Sequence, residues 1–195
     1  MLSNSHHATL QSIIDNLPSG VTMFDADQRL VAFNQQVRTL LDFPDELFVH
    51  GMPTLYDLAL FNARRGEYGP GESVQQAQSV CERARMLQPH VFERERPDGT
   101  VIEMRGTPLP DGGFVSIYTD ITERKRTERE ARRLAVYLDA VINALPQGVT
   151  VIDENLVIRL WNRSFEQLLD LPAGLMKPGV TFEDVSFEYA PEVPV

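Results

Sequence analysis

The side chains that could carry out redox, metal or anion chemistry are few and widely spaced. The chain has one cysteine, Cys81, and the histidines away from its start are His50 and His90. A single thiol cannot form an internal disulfide or a multi-cysteine metal site, so Cys81 is either a reactive thiol or a buried helix residue. The neighbours Arg64 and Arg65 could receive an anionic ligand or pair with a carboxylate of the fold, which is the commoner use of arginine.

No catalytic set accompanies these residues. The segment Gly66–Glu72 is rich in glycine but lacks the Gly-Lys-Ser/Thr end of a phosphate-binding loop. Asp98-Gly99 and Asp111-Gly112 suit turns better than metal sites. No phosphoacceptor histidine followed by an acid, no ATP lid and no Ser/His/Asp grouping is present. We therefore expect a segment without catalytic activity and without a metal site.

Composition excludes two classes of function. The formal net charge is -10, which repels nucleic-acid phosphates, and no basic face offsets it. No stretch approaches the roughly 20 apolar residues that span a bilayer. The first residues lack a secretory signal, and a lone cysteine fits a reducing compartment. We expect a cytoplasmic segment with no nucleic-acid partner and no membrane span.

The chain repeats itself at an offset of 128 residues, since Leu17–Asp25 returns as Leu145–Asp153 and Asn34 returns as Asn162. Further matches follow in the same order: Pro44 with Pro172, Gly51 with Gly179 and, after a one-residue slip, Thr54 and Asp57 with Thr181 and Asp184. Shared turn residues, apolar runs and helix caps in one order indicate a repeated domain. The second copy stops early.

The elements that must position these residues follow from periodicity. A predicted hairpin precedes Asn34, which suits a helix N-cap. Helical segments follow at about 54–63 and 72–86. Period-two alternation then predicts strands at 91–96, 101–105 and 114–120, joined by turns at Pro97-Asp98-Gly99 and at residues 110–113. The order predicts an α+β fold, with helices on one face of an antiparallel sheet and a small interior that side chains or a ligand could fill.

This order of elements resembles the PAS fold. Asn34 stands where PAS domains begin their first core helix, and Leu17-Pro18-Ser19-Gly20-Val21 is similar to the family's opening. Asp120-Ile121-Thr122-Glu123-Arg124-Lys125 is similar to its closing signature, where the last strand continues into an exit helix. Residues 61–71 resemble a PAS subgroup that is found in bacterial sensor histidine kinases. The likeness covers residues 8–123 fully and residues 137–190 as a first half.

The resemblance implies a five-stranded antiparallel sheet with short helices on one face and a sensory function. PAS domains detect small molecules, light, oxygen or redox state, or dimerise, and pass the signal to an output domain. We expect the sensory region of a bacterial histidine kinase; the alternatives are a ligand-free dimerisation module and the sensor region of a diguanylate cyclase. The expected pocket residues are Phe24, Phe33, Leu55 and Ile102.

The resemblance also disfavours flavin and haem. Flavin-binding relatives hold their cysteine in Asn-Cys-Arg-Phe-Leu-Gln, whereas Cys81 stands in Val80-Cys81-Glu82-Arg83. Haem-binding relatives use a histidine on a core helix, whereas His50 falls in a predicted loop and His90 at a strand start. We expect Cys81 to be a half-buried helix residue, and the identity of any ligand stays open.

A charged helical connector is predicted at residues 123–136. Its apolar residues continue into the second copy at a three-four spacing: Ala131, Leu134, Leu138, Val141 and Leu145. This seam could form a parallel homodimer, assisted by PAS surfaces, or could pack on the second PAS copy. Asp120 and Thr122 are the predicted signal relay at the junction; they could equally cap the helix, and the two roles are compatible.

The predicted boundaries are a leader at 1–7, a complete PAS domain at 8–122, the connector at 123–136 and a truncated second PAS domain at 137–195. By alignment the second copy lacks the later helix and all three meander strands of the first. Its strand edges would then stay unpaired. We therefore expect that the second copy does not fold by itself, and that another chain or further sequence supplies the missing face.

Overall fold

The computed structural model describes residues 12–189, with side-chain burial given for residues 12–185. The chain divides into two compact units between Arg126 and Thr127. The predicted leader at 1–7 lies outside the described residues. Among the residues that are described, no helix is both long and apolar enough to cross a membrane.

The first unit contains the five-stranded antiparallel sheet that the sequence predicted. Its strands are β1 (Gly20–Phe24), β2 (Leu30–Phe33), β3 (His90–Glu95), β4 (Val101–Pro108) and β5 (Phe114–Asp120). The spatial order is β2-β1-β5-β4-β3, so the first hairpin joins the three-strand meander where β1 pairs with β5. That pairing runs from Gly20 opposite Tyr118 to Phe24 opposite Phe114.

Short helices separate the hairpin from the meander. They are α1 (Gln35–Leu40), a 3-10 turn (Asp45–Phe48), α2 (Leu55–Arg64) and α3 (Ser73–Arg85). Each α-helix begins at a side-chain cap: Asn34 accepts from the Val37 amide, Thr54 and Asp57 form a capping box, and Glu72 accepts from two amides. The predicted helix starts are therefore close to those observed.

The helices pack on one face of the sheet around a single apolar cluster. Its buried members are Phe24, Leu30, Val37, Leu41, Phe43, Leu55, Leu58, Cys81, Ile102 and Phe114. Phe24 and Phe114 stack across β1 and β5 with ring centroids 4.9 Å apart. A Cβ on Gly20 would lie 2.7 Å from the Cα of Val37, so glycine is required where α1 crosses β1.

One long helix, α4 (Thr122–Ala144), follows β5 without a break. It covers the predicted connector and continues past residue 136, because no proline or glycine interrupts the chain until Pro146. Beyond it lie β6 (Thr150–Ile152), β7 (Ile158–Trp161), α5 (Arg163–Leu168) and α6 (Phe182–Tyr189). The second unit has its own small buried cluster of Ile158, Met176, Val180 and Val185.

Candidate functional site

A cavity of about 730 Å³ lies in the first unit between the inner face of the sheet and helices α2 and α3. Its apolar wall includes Phe24, Phe43, Leu55, Leu58, Val80 and Phe114. Its polar wall includes Glu67, Tyr68, His90, Arg94, Ser116 and Tyr118. The volume falls within the range of small-molecule sites, roughly 300–1,000 Å³.

Two of the four predicted pocket residues border this cavity. Phe24 and Leu55 lie in its wall. Phe33 lies on β2, at the edge of the sheet, and stacks on Phe48 with centroids 5.1 Å apart. Ile102 is 2% exposed in the core and pairs with Asp120, at the end of the sheet that leads into α4. Phe33 and Ile102 therefore support the fold beside the cavity rather than lining it.

A buried carboxylate that sequence reasoning missed lies at the polar side of the cavity. Glu67 is 3% exposed and contacts three guanidinium groups. The nearest approaches are 2.9 Å to Arg96 Nε, 3.3 Å to Arg94 Nη2 and 3.4 Å to Arg65 Nη2. We call these four residues the Glu67 cluster. Since a buried charge without partners is costly, the cluster fixes the loop that carries Glu67 against β3.

Arg96 is the most completely paired member of the Glu67 cluster. It donates to the Leu40 carbonyl at 2.9 Å and to Asp42 Oδ2 at 2.7 Å, and it lies 3.1 Å from Asp98. Burial alone would lower its pKa, but the hydrogen bonds to Asp42 and Glu67 outweigh burial and raise it. Arg96 therefore remains a cation that ties β3 to the end of α1.

Arg65 pairs with acids of the fold, one of the two uses predicted for it. Besides Glu67, it donates to the Leu41 carbonyl at 2.6 Å and to Asn62 Oδ1 at 3.1 Å. Burial lowers its pKa against the opposing attraction of Glu67. Its neighbour Arg64 is exposed.

Arg94 borders the cavity with fewer partners than the other two arginines. Its guanidinium lies 5.0 Å from the centroid of the Tyr68 ring, and its ion pair is the 3.3 Å contact with Glu67. Its Nε is buried with no hydrogen-bond partner among the described residues. Close by in the wall, burial raises the pKa of the Tyr118 hydroxyl, which favours the neutral donor form.

The lone cysteine and the two histidines occupy different settings. Cys81 is buried in the core rather than half-buried, and burial raises the pKa of its thiol, which disfavours the reactive thiolate. His50 is exposed, whereas the His90 ring borders the cavity and lies directly over Gly106. Within residues 12–189, no group of three or more His, Cys, Asp or Glu side chains could hold a metal ion.

Asp120 and Thr122 form one connected junction at the start of α4. Asp120 Oδ1 accepts from the Thr122 amide at 2.8 Å and from its hydroxyl at 2.5 Å. The Thr122 hydroxyl oxygen in turn accepts from the Val101 amide at 2.9 Å. The two side chains therefore cap the helix and also tie its first residue to β4.

Two ion pairs extend this junction to β3 and β4. Lys125 Nζ lies 2.7 Å from Glu93 Oε2, and Arg124 Nη2 lies 3.4 Å from Glu103 Oε2. Glu93 follows Phe92 on β3 and also borders the cavity. Glu93 therefore joins a strand of the cavity wall to the first turn of α4, through Lys125 and, at 3.7 Å, through Arg124.

The apolar seam of α4 has no buried member. Leu134 is 55% exposed and Leu138 is 49% exposed. Val141 is 40% exposed, and Leu145, which follows the last residue of the helix, is 39% exposed. Apolar side chains are thus exposed along one side of α4.

Comparison with known sequences gives a family match over most of the chain. The sequence model of the family described as "PAS fold" matches residues 14–129 and 142–191. Over 89 residues, 46% of this chain, the sequence is 29% identical to Sensor protein DivL of Caulobacter vibrioides, and the match covers 12% of that protein. The chain therefore spans a small part of the length of this relative.

Solved structures that match the chain include a PAS domain and a domain of a sensor histidine kinase. The PAS domain of BvgS from Bordetella pertussis has a TM-score of 0.47 and 15% identity, covering 69% of this chain and 99% of that one. A domain of the sensory box sensor histidine kinase/response regulator from Geobacter sulfurreducens has a TM-score of 0.39 and 17% identity, covering 59% of this chain and 94% of that one.

Proposed function

This chain belongs to the PAS family, and from that membership we propose that it is a cytoplasmic sensory region that controls a bacterial histidine kinase. A small molecule would occupy the cavity of the first unit, and α4 would carry the response towards an output domain. The observation that carries the proposal is the cavity of about 730 Å³ whose wall includes β3, the strand that contacts the start of α4.

The relay would pass through contacts that join the cavity wall to the helix. Asp120 and Thr122 set the angle at which α4 leaves β5, and the Glu93–Lys125 pair couples that angle to β3. A ligand that moves β3 by a fraction of an ångström would alter this pair first. Because α4 is continuous to Ala144, a rotation at its first turn would be transmitted along the helix.

Ligand binding is tested with the whole chain. The protein is extracted gently, examined by native mass spectrometry and by absorbance, and then screened against small molecules for a rise in melting temperature. Leu58→Trp should fill the cavity and abolish any shift, whereas Ile117→Trp, on the exposed outer face of β5, should leave it intact. The absence of any bound molecule and any thermal shift would contradict the sensing proposal.

Coupling is tested by hydrogen exchange. A ligand that binds should change amide protection in the first turns of α4, and Thr122→Ala should weaken that change while leaving binding intact, since Thr122 lies outside the cavity wall. Equal responses in the two proteins would contradict a relay through this residue.

The exposed seam of α4 favours a second function, that of a dimerisation module. Sedimentation of the chain should show a dimer, and Leu138→Glu should convert it to a monomer because the charge lies within the seam. Val136→Glu is the matched control, because Val136 is 65% exposed and lies on the opposite side of the helix from Leu138. A wild-type chain that stays monomeric at high concentration would contradict this function.

A further inference from the structure

The Glu67 cluster contains more positive than negative buried charge. Glu67 is its single carboxylate, and the side chains of Arg65, Arg94 and Arg96 surround it. Asp42 and Asp98 contribute further negative charge from the surface, with side chains 61% and 50% exposed. Both of these acids contact Arg96, and Asp42 also approaches Arg65. Neither is paired with Arg94.

Arg94 is therefore the cation whose donors are least used. A guanidinium carries five N–H donors, and Arg94 has one ion pair, at 3.3 Å, together with the face of the Tyr68 ring. Its side chain is 16% exposed, and it borders the cavity. A guanidinium in this position gains strongly from an added acceptor, because charge-assisted hydrogen bonds are stronger where water is excluded.

The acids next to Arg94 on β3 do not supply its ion pair. Glu93 also borders the cavity, but its carboxylate lies 2.7 Å from Lys125. Glu93 and Glu95 flank Arg94 along β3 and, like it, border the cavity, whereas the ion pair of Arg94 is with Glu67. Arg83, an exposed residue of α3, adds a second cation to the cavity border.

The other residues of the cavity wall indicate which groups a ligand bound at Arg94 would carry besides its charge. Phe24, Leu58 and Phe114 supply an apolar surface on the side formed by β1, β5 and α2. Ser116 and Tyr118 of β5 add hydroxyl groups to the same wall. One underused guanidinium matches a single negative charge, whereas a dianion would need a second buried cation.

We propose that the cavity binds an apolar monoanion, with its carboxylate on Arg94 and its hydrocarbon part against Phe24, Leu58 and Phe114. This inference rests on the proposed sensory function, because it names the class of ligand for the same cavity. Arg94 would act as the specificity-determining residue, and the shared carboxylate Glu67 would hold its side chain in place.

The test compares octanoate, octanol and octylammonium, which share one hydrocarbon chain and differ in charge. Binding to the whole chain is measured by calorimetry at neutral pH. Octanoate should bind at least about tenfold more tightly than octanol, and octylammonium should bind most weakly. Arg94→Gln should remove the preference for octanoate while octanol affinity stays within about twofold, because the apolar wall is unchanged.

Matched variants separate recognition from folding. Arg105→Gln changes an exposed arginine of β4 that pairs with Glu103, and it should leave all three affinities unchanged. Arg94→Lys keeps the charge without the planar fork, so it should retain part of the preference for octanoate. If Arg94→Gln does not fold, the wild-type order of affinities and Arg94→Lys still decide the question.

The outcomes distinguish this inference from the function on which it rests. Equal affinity for octanoate and octanol, or tighter binding of octylammonium, would overturn the anion preference while leaving a ligand-binding cavity. If none of the three probes binds, the proposal that the cavity takes an apolar monoanion would also be overturned. Should a broader screen then find no ligand either, the sensory proposal would be lost as well.

Discussion

The two units of the molecule share the same hairpin-to-helix corner and differ in the number of strands that pair with the hairpin. Asn34 accepts from the Val21 and Val37 amides and donates to the Ile14 and Ser19 carbonyls. Asn162 makes the same four hydrogen bonds, to the Val149 and Phe165 amides and to the Ile142 and Gln147 carbonyls. Both side chains are almost fully buried. A short sequence thus specifies the same hairpin-to-helix corner twice.

The difference lies in the sheet. In the first unit β1 has two neighbours, β2 and β5, whereas within the described residues β6 pairs with β7 alone. Phe24 is 1% exposed, and its counterpart in the repeat, Ile152, is 40% exposed. Local signals are therefore sufficient to form the corner, but burial of the strand requires the meander that follows in the first unit.

Separating the units should give the largest effect. Residues 134–195 expressed alone should show no cooperative thermal transition and should be digested rapidly by protease, because the apolar face of β6 stays exposed. Residues 8–133, with the complete sheet, should melt cooperatively. Circular dichroism and limited proteolysis make both measurements. A cooperative melt and a protease-resistant product from 134–195 would remove the distinction between the units.

Substitution of the two asparagines should give the next largest effect. Asn34→Ala leaves buried amides and carbonyls without partners, so it should lower the free energy of unfolding of the first unit by about 3 kcal/mol. Asn162→Ala should cost less, because water reaches the corner of the second unit more readily when β6 is exposed. Denaturant unfolding gives the totals, and hydrogen exchange at Val21 and Val149 assigns them to each unit. Equal losses would contradict the comparison.

The helix caps should give the smallest effect. Thr54→Ala removes one half of the capping box of α2 and should lower stability by about 1 kcal/mol. Thr181 and Asp184 form the matching contacts in the second unit, where the Thr181 amide and hydroxyl both donate to the carboxylate at 2.9 and 2.7 Å. We expect a smaller loss for Thr181→Ala because α6 supports fewer tertiary contacts.

The cap formed by Thr181 and Asp184 should also make the stability of the second unit depend on pH. The hydrogen bonds from Thr181 lower the pKa of Asp184, so this carboxylate stabilises the folded unit at neutral pH. That contribution should be lost as the pH falls through the lowered pKa. Thr181→Ala keeps the amide hydrogen bond, which lowers the pKa most, and removes the hydroxyl one, so the pKa of Asp184 should rise part of the way towards that of an ordinary aspartate, as measured by NMR titration. An unchanged pKa would show that the Thr181 hydroxyl does not contribute to lowering it.

The turns and helix caps could be predicted from the sequence because each depends on contacts within a few residues. The N-cap of Asn34, the Thr54–Asp57 pair and the turn at Asp98-Gly99 all occur where their residue types predicted them. Strand alternation located the three meander strands for the same reason. The 128-residue repeat then indicated that the second unit would begin in the same way.

The composition of the cavity wall depended on contacts between distant segments. The Glu67 cluster joins a loop after α2 to strand β3, and no local pattern around Glu67 indicates that its carboxylate is buried. Likewise Phe33 and Ile102 are apolar strand residues like Phe24, yet both lie beside the cavity: Phe33 is on the edge strand β2, and Ile102 is at the end of β4 that pairs with Asp120. The sequence by itself determined the elements, their caps and the family, whereas pairing between strands remote in the sequence decided which side chains meet in the site. That pairing depends on closing long loops and burying a shared face, and neither is encoded in any short stretch of chain.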